Sequence, residues 1–267
     1  MAIIPESFLN SVVSIGVRIN STNIAWIGTG FFAGRASGQE NQVYPMLVSN
    51  KHVFEGNDTI VIRMKKRESD ELLEMNASLR KEDRTPMYYT HNNNQIDIAI
   101  LPLNAQVIYD NSLDFPCFDI ENNAMSSNEL RSNGVDEGSI IYMLGFPMGL
   151  VNMSSNLPIC RMGCISRMSE TQINEQHNIL ADIQNFPGNS GSPIITRPEF
   201  VSITGTSSLQ KSVLLGIVHS YIPYKENLIS SQTNEIVEIR SENSGIALVH
   251  PVEYIREIVD KIYPRTE

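Results

Sequence analysis

Apolar and polar positions alternate in a succession of short runs, and this pattern sets the expected fold class. Ser11–Arg18, Asn23–Gly34, Tyr44–Val48 and Thr59–Met64 are rich in β-branched or aromatic residues and are separated by Gly, Asn or charged clusters. That is the composition of half-buried strands. Gln95–Leu101 continues the series, with a lone acid, Asp97, ahead of Ile98-Ala99-Ile100-Leu101. From 104 to 138 the chain turns polar, with a short helix predicted at Ser126–Arg131, and reads as a connection. Strands resume at Ser139–Phe146, Ile159–Met168, Asn178–Ile183 and Val213–Ser220. Pro223–Ser244 reads as a long polar loop in which Glu235–Ile239 can form a strand, and loops of that length are usually functional or mobile. Near the end Val252, Ile255, Ile258, Val259 and Ile262 take helical spacing, with Pro251 at the first turn and Pro264 past the stop. Many short strands without interleaved helices predict an all-β barrel or sandwich closed by a C-terminal α-helix.

Composition narrows the partners. The 267 residues, 41% hydrophobic and 19% charged, suffice for one large or two small domains with a sizeable core. A formal net charge of -10 makes nucleic acid an unfavourable ligand. The basic run Arg63-Met64-Lys65-Lys66-Arg67 is answered by Glu68, Asp70, Glu71 and Glu74 and reads as a solvated face. Three cysteines, Cys117, Cys160 and Cys164, make no disulfide framework and complete no zinc site, so neither metal nor cofactor is expected. Met1–Glu6 lacks the pattern of a signal peptide, and no apolar run reaches the roughly 20 residues that span a bilayer. A cytoplasmic location without membrane attachment is therefore expected.

The candidate chemistry centres on Phe186-Pro187-Gly188-Asn189-Ser190-Gly191-Ser192-Pro193. Glycines on both sides of Ser190 permit a tight turn that presents a hydroxyl and aims nearby N–H groups at one point. Those are two requirements of acyl transfer, a nucleophile and donors for an oxyanion. Of five histidines, His52 stands out where an apolar strand delivers it to a loop (Val48-Ser49-Asn50-Lys51-His52). Asp97, isolated among apolar residues, needs a partner, and an imidazole N–H would satisfy it. His52, Asp97 and Ser190 then form an ordered His…Asp…Ser set.

Gly28-Thr29-Gly30-Phe31-Phe32, Ser49-Asn50-Lys51-His52-Val53, Asp97-Ile98-Ala99-Ile100-Leu101 and Gly188-Asn189-Ser190-Gly191-Ser192-Pro193 together resemble the chymotrypsin-type (trypsin-like) serine proteases. Gly145-Phe146-Pro147-Met148-Gly149 and Gly245-Ile246-Ala247 leading to Pro251 are similar to the HtrA/DegP-type protease domain, here without a PDZ-like segment. The resemblance spans about residues 11–260. It implies two six-stranded antiparallel β-barrels with the site between them. Residues 1–103 would form the first barrel, carrying His52 and Asp97, 104–138 the connection, and 139–267 the second barrel, carrying Ser190 and a terminal helix at 251–263. It further implies Ser190 as nucleophile, His52 as general base, Asp97 as its orienting acid, and the Gly188 and Ser190 N–H groups as the oxyanion hole.

Two departures matter. Asn189 stands where the digestive enzymes carry an aspartate that pairs with a new N-terminal ammonium, so activation by N-terminal cleavage is not expected. Ser192 replaces a common glycine, a change the turn should tolerate. The resemblance places Gln184 and Asn185 in the wall of the primary pocket and Val218, His219, Ser220 and Tyr221 on the substrate-pairing strand. His219 could lie near Asp97, contact the substrate side chain, or be structural. An uncharged pocket wall gives no support for basic substrates and suits a small, apolar or polar uncharged side chain. The expected partners are a protein or peptide substrate and a regulatory protein, with loop 223–244 as a sensor. The competing expectation is a catalytically silent module of the same fold that binds a peptide or protein.

Overall fold

The computed structural model describes residues 3–38, 42–69, 71–152, 154–199 and 207–265. After a short helix, α1 (Glu6–Asn10), strands β1 (Val12–Arg18) and β2 (Ile24–Ala36) form an antiparallel hairpin. The side-chain oxygen of Asn20 shapes its turn by accepting from the backbone N–H groups of Thr22 and Asn23. There follow β3 (Val43–Ser49), α2 (Lys51–Phe54), β4 (Thr59–Lys65), β5 (Leu72–Ser78), β6 (Tyr89–Thr90) and β7 (Ala99–Pro102). The connection holds α3 (Ala105–Asp110), β8 (Phe118–Asp119) and α4 (Ser127–Ser132). The second half comprises β9 (Ile140–Gly145), β10 (Ile159–Arg167), α5 (Glu170–Gln176), β11 (Ile179–Asp182), β12 (Pro193–Thr196), β13 (Leu214–Ile229), β14 (Ile236–Pro251) and α6 (Val252–Ile262).

The architecture is chymotrypsin-like. The second half is a closed six-stranded barrel in the order β10-β11-β14-β13-β12-β9. The first half is an eight-stranded sheet in the order β5-β4-β1-β2-β3-β7-β6, and β8 from the connection joins β2 in parallel. Side chains alternate across a strand, and β2 shows what this achieves. Phe32 enters the first-half core with Val13, Leu47, Phe54 and Ile60. Its neighbour Phe31 faces the other way, into a core shared with Ile195, Leu214 and Ile217 of the barrel and Ile255 of α6. The helix buries Val252, Ile255, Ile258 and Val259 completely. Each such burial contributes about 1.5–3 kcal/mol at most, enough to fasten the chain end across both halves.

Several elements differ from the pattern reading. The predicted strand at Gln95–Leu101 shortens to β7, leaving Asp97 in the loop before it. The expected polar loop at 223–244 is a two-stranded arm, because β13 and β14 run 16 residues each and stay paired from Pro223↔Asn243 to Ile229↔Ile236. Ser126 caps α4 through a reciprocal capping box with Glu129, which fits the helix read there. All three cysteines are free, with Cys160 exposed.

Candidate active site

The turn after Phe186 is built around two glycines with positive φ, 95° at Gly188 and 90° at Gly191. A Cβ at Gly188 would collide with the Phe146 carbonyl, and one at Gly191 with the Thr29 carbonyl. Only glycine satisfies both demands. The orientation of each peptide plane follows from its carbonyl. The Pro187 carbonyl accepts from the Met148 N–H at 2.5 Å, the Gly188 carbonyl from the Thr29 hydroxyl at 2.7 Å, and the Ser190 carbonyl from the Thr29 N–H at 2.8 Å. In a trans peptide the N–H points opposite to its C=O. The Gly188 N–H is therefore turned away from Met148. Among the described residues neither it nor the Ser190 N–H has an acceptor, so both donors stand free beside the half-buried Ser190.

His52 lies in the first turn of α2, shortly after β3 ends, and Asp97 lies in the loop before β7, the strand paired with β3. That pairing delivers the two side chains to each other. Asp97 Oδ2 meets His52 Nδ1 at 2.5 Å, and Asp97 Oδ1 accepts the His52 backbone N–H at 3.0 Å. Partial burial pushes the Asp97 carboxyl up, but the hydrogen bond and charge of His52 outweigh it and hold the group below its ordinary value. An ionised Asp97 can only accept, so Nδ1 carries a proton, and in the neutral form of the ring the lone pair is on Nε2. The His52 ring is about half exposed (48%). No hydrogen bond joins it to Ser190 Oγ here, a contact that often tightens only with substrate bound.

Sequence reasoning singled out neither Thr29 nor His250. Thr29 binds the turn from the other half, since its hydroxyl also accepts from the Phe146 N–H at 3.0 Å and its carbonyl accepts from Ser49 Oγ at 2.7 Å. Both backbone groups of Asp97 are held by side chains. Asn50 Nδ2 donates to its carbonyl at 2.7 Å, and His250 Nε2 accepts its N–H at 2.9 Å. Such contacts carry no local signal; Asp97 and His250 lie 153 residues apart.

The remaining predicted residues divide. Asn185 is buried, donates Nδ2 to the Ser220 carbonyl at 3.0 Å, and its own carbonyl accepts from Asn243 Nδ2 at the root of the arm. Gln184 is exposed. Val218 is wholly buried, and its backbone groups are spent on the turn, accepting the Gly191 N–H at 3.1 Å and donating to the Ser192 carbonyl at 3.0 Å. It supports the Ser190 turn from behind, and its backbone groups are not free to pair with another chain. A bulge between Val218 and Ser220 frees His219 from the ladder. The His219 ring stacks on His250 with centroids 3.9 Å apart, and its Nε2 meets Asn178 Oδ1 at 2.6 Å. It is close enough to feel the charges of Asp97 and His52. Ser220 and Tyr221 are partly exposed on the strand beyond. Among the described residues no His/Cys/Asp/Glu group could hold a metal, and no helix is long and apolar enough to cross a membrane.

A family model for the trypsin-like peptidase domain matches residues 28–201, more than half of the chain and inclusive of His52, Asp97 and Ser190. The chain belongs to the trypsin-like peptidase family. Solved structures of similar fold include HBP, at 11% identity and a TM-score of 0.52, covering all of this chain and 96% of that one. The VesB protease of Vibrio cholerae has 14% identity and a TM-score of 0.52, covering all of this chain and 68% of that one. At such identities the likeness concerns the fold. No curated protein matches the sequence. Within this trypsin-like chain His52 and Asp97 pair in the first half, and Thr29 ties the Ser190 turn of the second half to the half that carries them.

Proposed function

We propose that this trypsin-like domain is a serine endopeptidase working through Ser190, His52 and Asp97. Ser190 Oγ attacks the scissile carbonyl while His52 Nε2 takes its proton, forming a tetrahedral oxyanion. The Gly188 and Ser190 N–H groups donate to that oxygen. His52 then gives the proton to the leaving amine, and water repeats the sequence on the acyl-enzyme. Asp97 stabilises the imidazolium formed in each half. The observation that carries this reading is the double grip of Asp97 on His52, which leaves Nε2 as the only basic nitrogen. The two free N–H groups beside Ser190 support it.

Asn189 supports a site that needs no N-terminal cleavage. It is wholly buried, neutral, and without a side-chain partner among the described residues, so its place offers no charge to a chain-end ammonium. Regulation, in this reading, runs through the arm. Asn243 at its root holds the carbonyl of Asn185, which in turn holds Ser220, so a partner on the arm reaches the pocket wall through two hydrogen bonds. Ser220, Tyr221 and Gln184 line the approach of an extended peptide, and an uncharged side chain suits the primary pocket. The test is a peptide-library digest comparing wild type with Ser190→Ala. Cleavages made only by the wild type support the reading. Identical digests from both contradict it.

A further inference from the structure

The backbone of Asp97 is fastened by a histidine whose protonation state the geometry dictates. His250 Nδ1 lies 2.8 Å from the His177 carbonyl, and its Nε2 lies 2.9 Å from the Asp97 N–H. A carbonyl can only accept and an amide N–H can only donate. Both contacts are satisfied by one species alone, the neutral ring with its hydrogen on Nδ1. The ring is wholly buried. It is stacked within 6° of parallel on His219, and Tyr254 of α6 packs edge-on with centroids 6.2 Å apart. His177 is held in turn, with Nε2 at 2.9 Å from Asn93 Nδ2 and Nδ1 at 3.1 Å from the Tyr254 hydroxyl. The chain of contacts therefore runs from the end of α5, through β14, to the loop that carries the triad acid.

We propose that His250 is a positioning residue for the triad: its bare Nε2 fixes the backbone of Asp97 across the seam, and adding a proton there releases Asp97. This rests on the protease reading above. A protonated Nε2 would set two donors against each other, so the Asp97 N–H would be left buried without an acceptor, a costly state. The groups facing His250 are Asp97 from its loop, His219 from β13, His177 from the end of α5, His91 from the loop after β6, and Tyr254 from α6. Glu257 is engaged with His91 at 2.7 Å. Burial pushes His250 down to about 4 against the opposing effects of its bond to the His177 carbonyl and of the Asp97 charge, with His177 and His91 adding to the lowering, so the ring is neutral through the neutral range. Burial and the neighbouring His250 push His219 down to about 3.

The test compares the rate at which a fluorophosphonate probe labels Ser190 in wild type, His250→Phe and His250→Gln. Phenylalanine keeps the stacked ring without an acceptor, and glutamine restores an acceptor. The proposal expects His250→Phe to label about 10- to 100-fold more slowly, as an unsatisfied buried donor implies, with His250→Gln recovering most of the loss. A folded His250→Phe labelled at the wild-type rate overturns the proposal alone. Wild type that is never labelled overturns the protease reading and the proposal together. If His250→Phe does not fold, ¹⁵N NMR of the wild-type histidines decides. A protonated Nδ1 and bare Nε2 on His250 at neutral pH supports the proposal, and the opposite tautomer overturns it.

Discussion

The hydroxyl of Thr29 donates to the carbonyl of Gly188 at 2.7 Å, so a strand of the first sheet sets the Ser190 turn of the barrel half. The same oxygen accepts the Phe146 N–H at 3.0 Å. Thr29→Val keeps the shape and removes both bonds. It leaves two buried backbone groups short of partners, at about 1–3 kcal/mol each. The expected result is a labelling rate of Ser190 reduced at least about tenfold, with Thr29→Ser close to wild type. Probe kinetics on the three proteins check this.

The two glycines of the turn should differ from ordinary loop glycines in their intolerance of alanine. At Gly191, φ is 90° and an added methyl meets the Thr29 carbonyl and Ser49 Oγ. Positive φ alone costs a non-glycine residue about 1–3 kcal/mol, and the collision adds to that. Gly191→Ala is expected to lower the melting temperature by at least about 4 °C and to abolish labelling. Gly56, with φ of 80° and open space around its Cβ position, is the control. Gly56→Ala should lower the melting temperature by only a few degrees and leave labelling intact. Thermal melts with parallel labelling decide.

Acid should weaken the fold in a definite window. His219 and His250 are pushed down in the folded state, to about 3 and about 4, first by burial. The unfolded chain has ordinary histidines near 6.5, so between that value and about 4 it binds more protons than the native state does. Stability then falls as pH falls through this window. Asp97, held below its ordinary value by His52 against the opposing effect of burial, adds a further loss at lower pH. Melting curves between pH 7 and pH 4 should show a steady decline, shallower in His250→Phe. A flat profile would contradict the buried neutral stack.

How far the sequence disclosed these relationships depended on their range. The strands around Val13, Phe32 and Leu47 were legible because their alternation is local and one face is buried. The pairing of His52 with Asp97 was legible because each sits in a distinctive local setting, and Ser190 was proposed beside them from its flanking glycines and the order of the three. Strand β5 was missed because Leu72–Ser78 is an edge strand, only half buried, with Glu74 and Asn76 among its residues. The arm was read as a loop because it leaves the barrel and is solvated around Glu226, Glu238 and Arg240. Asp97 was placed in a strand because its apolar neighbours suggested a ladder. In fact Asn50 and His250, distant in sequence, take its backbone groups.

The arm exposes Ile222, Tyr224, Ile229, Ile236, Val237 and Ile239 and adds little to either core. Replacing residues 224–242 by a short turn should leave the melting temperature within about 2 °C, because surface changes away from the core cost little. Labelling of Ser190 should persist, while cleavage of protein substrates changes relative to short peptides. Equal effects on both substrates would remove the arm from regulation.

The protease reading stands or falls on Ser190 being a nucleophile activated by His52. The most direct measurement is mass-spectrometric mapping of fluorophosphonate adducts on wild type, Ser190→Ala and His52→Ala. The account predicts one adduct, on Ser190, absent from Ser190→Ala and slowed on the order of 10⁴-fold in His52→Ala. A wild-type protein that forms no adduct, or forms it equally well without His52, would contradict it.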